Sequence, residues 1–425
     1  MLDRIIGSLR SEGIETWRVT ERVSDTAELY FIKKKLDIPR IKRMDQFVVT
    51  VFRDFEESGK KFRGESRALL SPGMTDEEIK ERLRSAYLAA SFVKNPWYEL
   101  ADPVKEERKK SVSDLASRDI EKTADEFAKA MFSADTAQDA FINSAEIFVS
   151  RSFTHIVASN GLDVSFDSDE VKGELVSQCI SPIDVEQYRQ FSYDKFDAEA
   201  IKQKVSEAIE DVRARARASK APKAGDYDII LSGENLEELF ELYEARSYAG
   251  MVYPGYSQWK VGDQVQGEDV KGEKLNIYFE PLDPYSSEGI PMKERCLIKD
   301  GVLRLIYGDT RMCRYLGIEP TGDYRKLRCE GGTKSISEMR KAGVLELVSF
   351  SDFQMDSFDG HFKGEIRLGL LYKEDGSVEE LTGGSINGSL IDLQSYLTFS
   401  KEQYEDSAYK GPLAVLIPKV AVAGE

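Results

Sequence analysis

Histidine is nearly absent from this sequence. The 425 residues include only two histidines, His155 and His361. A mononuclear zinc site that hydrolyses peptides needs three protein ligands, commonly with two histidines on one helical face. His155 and His361 are far apart, and neither has a second histidine at helical spacing. Counting therefore excludes a zinc peptidase of the HExxH or HExxxH type.

Cysteine and long apolar runs are also scarce. Four cysteines (Cys179, Cys296, Cys313 and Cys329) show no CxxC spacing and are too few for a disulfide framework. They are typical of reduced thiols in a cytoplasmic protein, which is the location we expect. The amino terminus lacks the apolar stretch of a signal peptide, and no run of about 18 apolar residues occurs. We therefore expect no membrane partner.

Positive charge is in deficit. Lys and Arg total 59 against 76 Asp and Glu, which gives a net charge of −17. This excess repels a phosphate backbone, and no basic stripe interrupts it, so nucleic-acid binding is disfavoured.

No nucleophilic motif stands out either. A Ser–His–Asp triad would have to use one of the two histidines, and no G-x-S-x-G elbow is present. We therefore assign no catalytic residue and no cofactor. The run Gly383–Gly388 has two interpretations: a tight turn, which we favour, or a phosphate cradle ahead of a helix at Ser389–Leu397.

The order of predicted elements is irregular and indicates an α+β fold. Residues 1–220 are predicted to be an N-terminal region of sheet packed with helices, with a first segment 1–110 and a middle segment 111–220. Residues 221–425 are predicted to be a mostly-β C-terminal domain. The clearest helix begins at Thr75, which forms a capping box with Glu78. Asn160-Gly161 predicts a hairpin turn with positive φ at both residues, and Pro418 predicts an edge strand at 413–422.

Aromatic residues gather near a helix that starts close to Gly233. They are Tyr243, Tyr248, Tyr253, Tyr256 and Trp259. Such side chains can stack on an extended peptide and offer hydroxyls to its backbone. Core packing or a subunit interface explains them equally well.

Several motifs together resemble the TldD/TldE (PmbA) family, whose members are also called modulators of DNA gyrase and are linked to peptide maturation and proteolysis. The motifs are Asp25–Tyr30, Ala158–Leu162, Glu288–Pro291 followed by Leu297–Leu303 and Thr321-Gly322, and Gly384–Leu390. The resemblance covers about residues 20 to 422. A departure follows Thr321-Gly322, where the glycines and prolines of TldD are replaced by Asp323–Leu327, and residues 323–345 do not align with the family pattern.

The resemblance implies a heterodimer in which TldD-type subunits carry zinc on an HExxxH helix and a late cysteine, whereas TldE-type subunits lack these ligands. The corresponding segment here is Leu236–Tyr248. One register places Tyr243-Glu244 and Tyr248 on the His-Glu and His positions, and another, anchored on Val252-Tyr253, shifts this by a few residues. Neither register contains a histidine, and no cysteine follows Cys329. The resemblance therefore implies a degenerate site without metal.

Three functions stay open. The first is a zinc-free, TldE-like subunit that works with a TldD-type metalloprotease on unfolded peptide, with a candidate groove at Tyr243, Glu244, Tyr248 and Tyr253. The second is a homodimeric peptide-binding or structural protein without a protease role, and dimerisation is expected in either case. The third, ranked lowest, is a metal-free hydrolase that uses Glu244 or Cys329.

Overall fold

A computed structural model describes all 425 residues. The fold is α+β, as predicted, with a helix-covered sheet in the first half and mainly β layers in the second. No helix is both long enough and apolar enough to cross a bilayer. The predicted boundaries at 110/111 and 220/221 stay predictions.

The first half contains four α-helices and six strands. They are α1 (Leu2–Ser11), β1 (Thr16–Ile32), β2 (Lys35–Glu57), β3 (Lys60–Leu70), α2 (Asp76–Ala90), α3 (Ile120–Ala134), β4 (Ala140–Ala158), β5 (Asp163–Cys179), β6 (Val185–Tyr193) and α4 (Ala198–Arg217), with a 3-10 turn at Asp114–Ser117.

The second half contains five short α-helices and thirteen strands. They are β7 (Gly225–Ser232), α5 (Glu234–Ser247), α6 (Ala249–Val252), β8 (Ile277–Glu280), β9 (Arg295–Lys299), β10 (Val302–Leu303), α7 (Thr310–Leu316), β11 (Lys326–Cys329), α8 (Ile336–Met339), β12 (Leu345–Met355), β13 (His361–Tyr372), β14 (Val378–Leu381), β15 (Ser385–Ser389), α9 (Leu390–Leu393), β16 (Thr398–Phe399), β17 (Gln403–Glu405), β18 (Tyr409–Pro412) and β19 (Ala414–Ala423), with a 3-10 turn at Gln394–Tyr396.

The first-half strands form one antiparallel sheet in the order β3-β2-β1-β4-β5-β6. Side chains alternate between its faces. Leu29 of β1 and Ile147 of β4 lie on the face that packs against α3 and α4. The other face is polar: Thr26 Oγ1 lies 3.0 Å from Ser150 Oγ. This polar face is turned toward the second half of the chain.

Two sheets build the second half. One has the order β10-β9-β8-β11-β18-β17, and the other has the order β12-β7-β19-β15-β13-β14 with β16 beside β19. Because β12 also pairs with β13, the second sheet returns on itself. The largest apolar core of the chain lies in this half and includes the inner face of α5.

The helix predicted at Thr75 is confirmed as α2. The Thr75 hydroxyl accepts the Glu78 N–H at 3.3 Å, and the Glu78 carboxylate accepts the Thr75 N–H at 2.7 Å. Met74 packs against the cluster that contains Ile79, and this contact fixes the entry of the chain into the helix.

The prediction of an edge strand at Pro418 is wrong. Strand β19 lies inside its sheet, between β7 and β15. Its register with β7 shifts between Ile417 and Val420, and Lys419 takes a positive φ of 55° with its N–H donated to the Asp228 carboxylate at 3.1 Å. Pro418 is tolerated because the missing N–H falls in this bulge.

The two glycine-rich turns differ from expectation in detail. Gly383 and Gly384 form a turn with positive φ, but residues 385–389 are strand β15, so the phosphate-cradle interpretation is wrong. The helix that follows is only Leu390–Leu393. At the confirmed hairpin between β4 and β5, only Gly161 has a positive φ (102°), and Asn160 donates its side-chain amide to the Ala101 carbonyl at 3.0 Å.

Strand β3 passes directly beneath the end of α2, and this close approach gives the first prediction. A Cβ on Gly64 would lie 1.8 Å from the Ala90 carbonyl oxygen and 2.7 Å from that of Val93. We expect Gly64→Ala to destabilise the protein by about 2–3 kcal/mol, measured by thermal or urea unfolding. Gly7→Ala on exposed α1, where a Cβ meets nothing within 4 Å, is the control and should stabilise by up to about 1 kcal/mol. Equal stability of the two variants would contradict this packing.

Candidate functional site

Helix α5 is the element that the resemblance associates with metal binding. Gly233, with a φ of 60°, turns the chain from β7 into the helix, a conformation that glycine adopts without steric cost. The inner face of α5 is apolar. Leu236, Leu239 and Phe240 are fully buried in the main core of the second half.

Tyr243 belongs to this inner face. Its side chain is fully buried, its ring stacks on Trp259 with centroids 6.2 Å apart, and its hydroxyl donates to Gln394 Oε1 at 3.1 Å. Burial raises the pKa of this phenol well above its ordinary value. Tyr243 therefore holds the helix in the core and lines no surface groove in this structure.

Tyr248 ends α5 and is partly buried. Its hydroxyl donates to Asp309 Oδ2 at 2.9 Å, while Asp309 Oδ1 accepts the N–H of Met312 at the start of α7. The ring packs against Tyr307 at a centroid distance of 5.6 Å. Tyr248 thus joins the end of α5 to the start of α7.

Tyr253 and Tyr256 are the exposed members of the aromatic set. Tyr253 is 46% exposed and packs on Tyr315 of α7 with centroids 4.8 Å apart. Tyr256 is 61% exposed and meets Phe358 edge-on at 5.6 Å. Of the four predicted groove residues, Tyr253 is therefore the one whose ring is most available to a ligand.

A row of carboxyl groups occupies the outer face of α5. Glu237, Glu241 and Glu244 are spaced by four and three residues, which places them on one side of the helix. None of the three forms an ion pair in the structure. Burial raises the pKa of Glu244 to about 8, and the carboxylates of Glu237 and Glu241 add to the rise. Burial followed by Asp406 raises the pKa of Glu237 to about 7.

This row leads into a cleft between the two halves of the chain. The cleft has a volume of about 440 Å³ and is bounded by Glu234, Glu237 and Asp406 on one side. Lys172 and Glu174, on the polar face of the first sheet, bound the other side. Polar groups from both halves therefore meet around one concave space, as expected of a ligand site.

A second polar group lies near Tyr248. Glu288, from the Glu-Gly-Ile-Pro motif, accepts the N–H and hydroxyl of Thr310 at 2.7 and 2.6 Å and lies 3.4 Å from Arg18 of β1. Burial raises the pKa of Asp323 to about 6, and the carboxylates of Asp309 and Glu288 contribute. The Glu288 motif thus joins the two halves of the chain beside the end of α5.

The side chains of α5 do not fit a zinc ion. In the first register, one imidazole position holds buried Tyr243 and the other holds Tyr248, whose hydroxyl is bound to Asp309. The register anchored on Val252-Tyr253 also contains no histidine. His155 lies in β4, 2.9 Å from Asp163, and His361 is exposed in β13 beside Asp359. No group of three or more His, Cys, Asp or Glu side chains is arranged to hold a metal ion.

Sequence reasoning named Glu244 but missed its neighbours. The helical spacing of Glu237 and Glu241 could have predicted that they share a face of α5 with Glu244. Such pairs are common in an acidic chain, so the pattern is weak evidence. No sequence pattern predicts which residues from distant segments lie near this helix, and three of them do: Asp309, Asp323 and Asp406. Cys329 is buried, and burial raises the pKa of its thiol.

The sequence and the fold of this chain are similar to those of known proteins. Residues 224–424 match the family model described as the PmbA/TldA metallopeptidase C-terminal domain. No curated protein matches the chain at the sequence level. Three solved structures share its fold over nearly the full length of both chains.

The TldE structure from Thermococcus kodakarensis is 16% identical, with a TM-score of 0.80 over 99% of this chain and 100% of that one. A proposed modulator of a DNA gyrase from Thermotoga maritima is 19% identical, with a TM-score of 0.76 over 99% of each chain. A proposed modulator of DNA gyrase from Bacteroides thetaiotaomicron is 16% identical, with a TM-score of 0.76 over 100% of this chain and 98% of that one.

Residues 224–424 are matched by the PmbA/TldA metallopeptidase C-terminal domain, and the fold of the whole chain is that of TldE and of the two proposed gyrase modulators. Both findings support the resemblance seen in the motifs.

The raised pKa of Glu244 predicts a pH-dependent stability. An unfolded glutamate titrates near about 4.3, so between that pH and about 8 the folded state retains a proton that the unfolded state has lost. The stability from the neutral carboxyl is complete below about pH 4 and is lost as the pH rises toward 8. We expect Glu244→Gln to raise the Tm by a few degrees at pH 8 and by little at pH 4, measured by scanning calorimetry.

Glu374→Gln is the matched control, because Glu374 is exposed and forms no ion pair. Its Tm should follow that of the wild type at both pH values. An equal gain for Glu244→Gln at pH 4 and pH 8 would show that the proton on Glu244 is not the cause.

Proposed function

We propose that this chain is a zinc-free, TldE-like subunit of a peptide-processing complex whose metal is supplied by a TldD-type metalloprotease subunit. The observation that carries the proposal is the chemistry of α5. In the register that aligns Tyr243 and Tyr248 with the two imidazoles, this helix has one phenol in the core and one bound to Asp309, and the other register contains no histidine either. Neither is free to act as a metal ligand, so proteolysis would need donors from another subunit.

The proposed role of this chain is to help enclose and position an extended peptide. The 440 Å³ cleft and the carboxyl groups of α5 supply hydrogen-bonding groups, and the exposed ring of Tyr253 supplies an apolar face. Glu244 and Tyr248 lie between these features along the chain. Tyr243 contributes indirectly, since it anchors the helix that carries Glu244.

The alternative is a stand-alone homodimer that binds peptide or has a structural role without a protease. At the hairpin formed by the end of β1 and the start of β2, Ile32, Leu36, Ile38 and Ile41 are 40–59% exposed and divide between the two faces of the hairpin. Exposed apolar side chains concentrated at one hairpin favour some form of association. A cytoplasmic location and a division of the chain at 220/221 remain part of both proposals.

Co-expression tests the choice between these roles. The chain should co-purify with a TldD-type subunit that carries an intact HExxxH helix, and the complex should hydrolyse a fluorogenic unfolded casein that neither subunit cleaves alone. Light scattering after size exclusion gives the stoichiometry. A complex whose partner has lost its zinc-ligand histidines is the control and should assemble without turnover. Absence of a complex, together with a homodimer of this chain, would favour the alternative.

Substitution of Tyr253 tests the groove. In the active complex, Tyr253→Ala should raise KM about tenfold at nearly constant kcat, because removal of one aromatic face weakens substrate binding by roughly 1–1.5 kcal/mol. Tyr396→Ala is the matched control, since Tyr396 is similarly exposed (48%) but lies outside α5–α7. Unchanged kinetics for Tyr253→Ala would place the peptide elsewhere.

A further inference from the structure

The outermost strand of the first sheet, β3, is covered along only half of its free edge. At its start, the N–H of Arg63 donates to the Asn95 carbonyl at 2.9 Å, and the Lys61 carbonyl accepts the N–H of Trp97 at 3.1 Å. The residues around Pro96 therefore already lie against β3 in an extended conformation, and Phe62 and Pro96 form an antiparallel bridge. This edge accepts an added segment of chain.

The second half of the same edge is open. The pairing of β3 with β2 runs without a shift from Lys60 to Leu70. Backbone groups alternate in direction along a strand, so residues 65, 67 and 69 point theirs outward as Lys61 and Arg63 do. Those groups have no hydrogen-bond partner in the chain. Three successive outward N–H and C=O pairs are thus available to a further strand.

The opposite edge of the sheet, strand β6, is covered by other parts of the chain. On β6, the Ser192 carbonyl accepts the N–H of Ser407 at 3.0 Å, and the Arg215 guanidinium donates to the Glu186 carbonyl. Both ends of β6 are therefore held by other parts of the chain. Exposed strand edges are usually covered or disrupted in monomeric proteins. The uncovered part of β3 is therefore a candidate binding site.

An apolar groove runs beside this open edge. It has a volume of about 510 Å³ and lies between β3 and α2. Its α2 side is formed by small residues, Ala86 and Ala89, and its β3 side by Ala68 and Leu70. A strand added at the edge would direct alternate side chains into this groove, and the small residues leave room for them.

Charge and exposure define the ligand further. Arg67 and Arg82 line the groove in a chain of net charge −17, so the groove carries local positive charge. Leu69, on the same face of β3 as Arg67, also lines the groove and is 61% exposed, so it is available to pack against side chains of an added strand.

We propose that the edge Glu65–Leu70 and the groove beside α2 bind an extended peptide, which adds to the sheet as a strand, places apolar side chains in the groove and directs a carboxylate to Arg67 or Arg82. A second copy of β3 is a poor occupant, because symmetric pairing of residues 65, 67 and 69 sets the two Arg67 side chains opposite each other. The site is remote in sequence from α5 and depends neither on zinc nor on a partner subunit.

Proline substitution at an outward-facing position provides a selective test. Arg67→Pro removes an N–H that makes no bond to β2, so the sheet itself loses no hydrogen bond. Arg67→Ala removes the same charge but keeps the N–H, and Leu69→Pro with Leu69→Ala repeats the comparison. The probe is a fluorescein-labelled heptapeptide of alternating Val and Thr with Asp at each end, and binding is followed by fluorescence anisotropy with the full chain.

The wild type should bind the probe, and each proline variant should bind at least about tenfold more weakly than its alanine partner at unchanged Tm. Tyr396→Ala, at an exposed residue that lines neither this groove nor the cleft near α5, should bind like the wild type. Three results would overturn the proposal: no binding by the wild type, equal affinity of the proline and alanine variants, or a β3-dependent dimer that Arg67→Pro converts to monomer.

Discussion

Burial of one face of α5 in the main core is the constraint on which the candidate site depends. Tyr243 fills that face with an aromatic ring, and its hydroxyl is satisfied by the Gln394 amide rather than by solvent. A buried polar group that is already paired has little to gain from a ligand. The outer face, with Glu237, Glu241 and Glu244, is therefore the only side of the helix that can meet a substrate. The orientation of the helix thus decides which chemistry is available.

The carboxyl groups on that outer face hold their protons more tightly than ordinary carboxyl groups do. Burial raises the pKa of Glu244 to about 8 and that of Glu237 to about 7, so a proton is retained on a large part of this row. A neutral carboxyl both donates and accepts a hydrogen bond. Backbone amides of an extended peptide offer the same two functions. The suppressed charge therefore supports a peptide as ligand better than the composition of this acidic chain suggested.

The sequence was informative where local interactions decide the structure. The capping box of Thr75 and Glu78 acts within four residues, so it was visible without tertiary information. The prediction that Pro418 lies in an edge strand was wrong because the proline is accommodated by a bulge against β7, which lies about 190 residues away in sequence. The orientation of Tyr243 was undecidable for the same reason: its partner Gln394 is remote. The edge of β3 likewise depends on which strand becomes outermost, and no single segment encodes that.

The contacts that hold α5 in place involve no metal ion. Small zinc-dependent domains unfold when the ion is removed, because the metal takes the place of a core. Here the helix is positioned by Leu236, Leu239 and Phe240, and by the contact of Tyr248 with Asp309, none of which involves a cation. The position of α5 is therefore supported by apolar burial, and the cleft beside the helix keeps its shape without a bound ion.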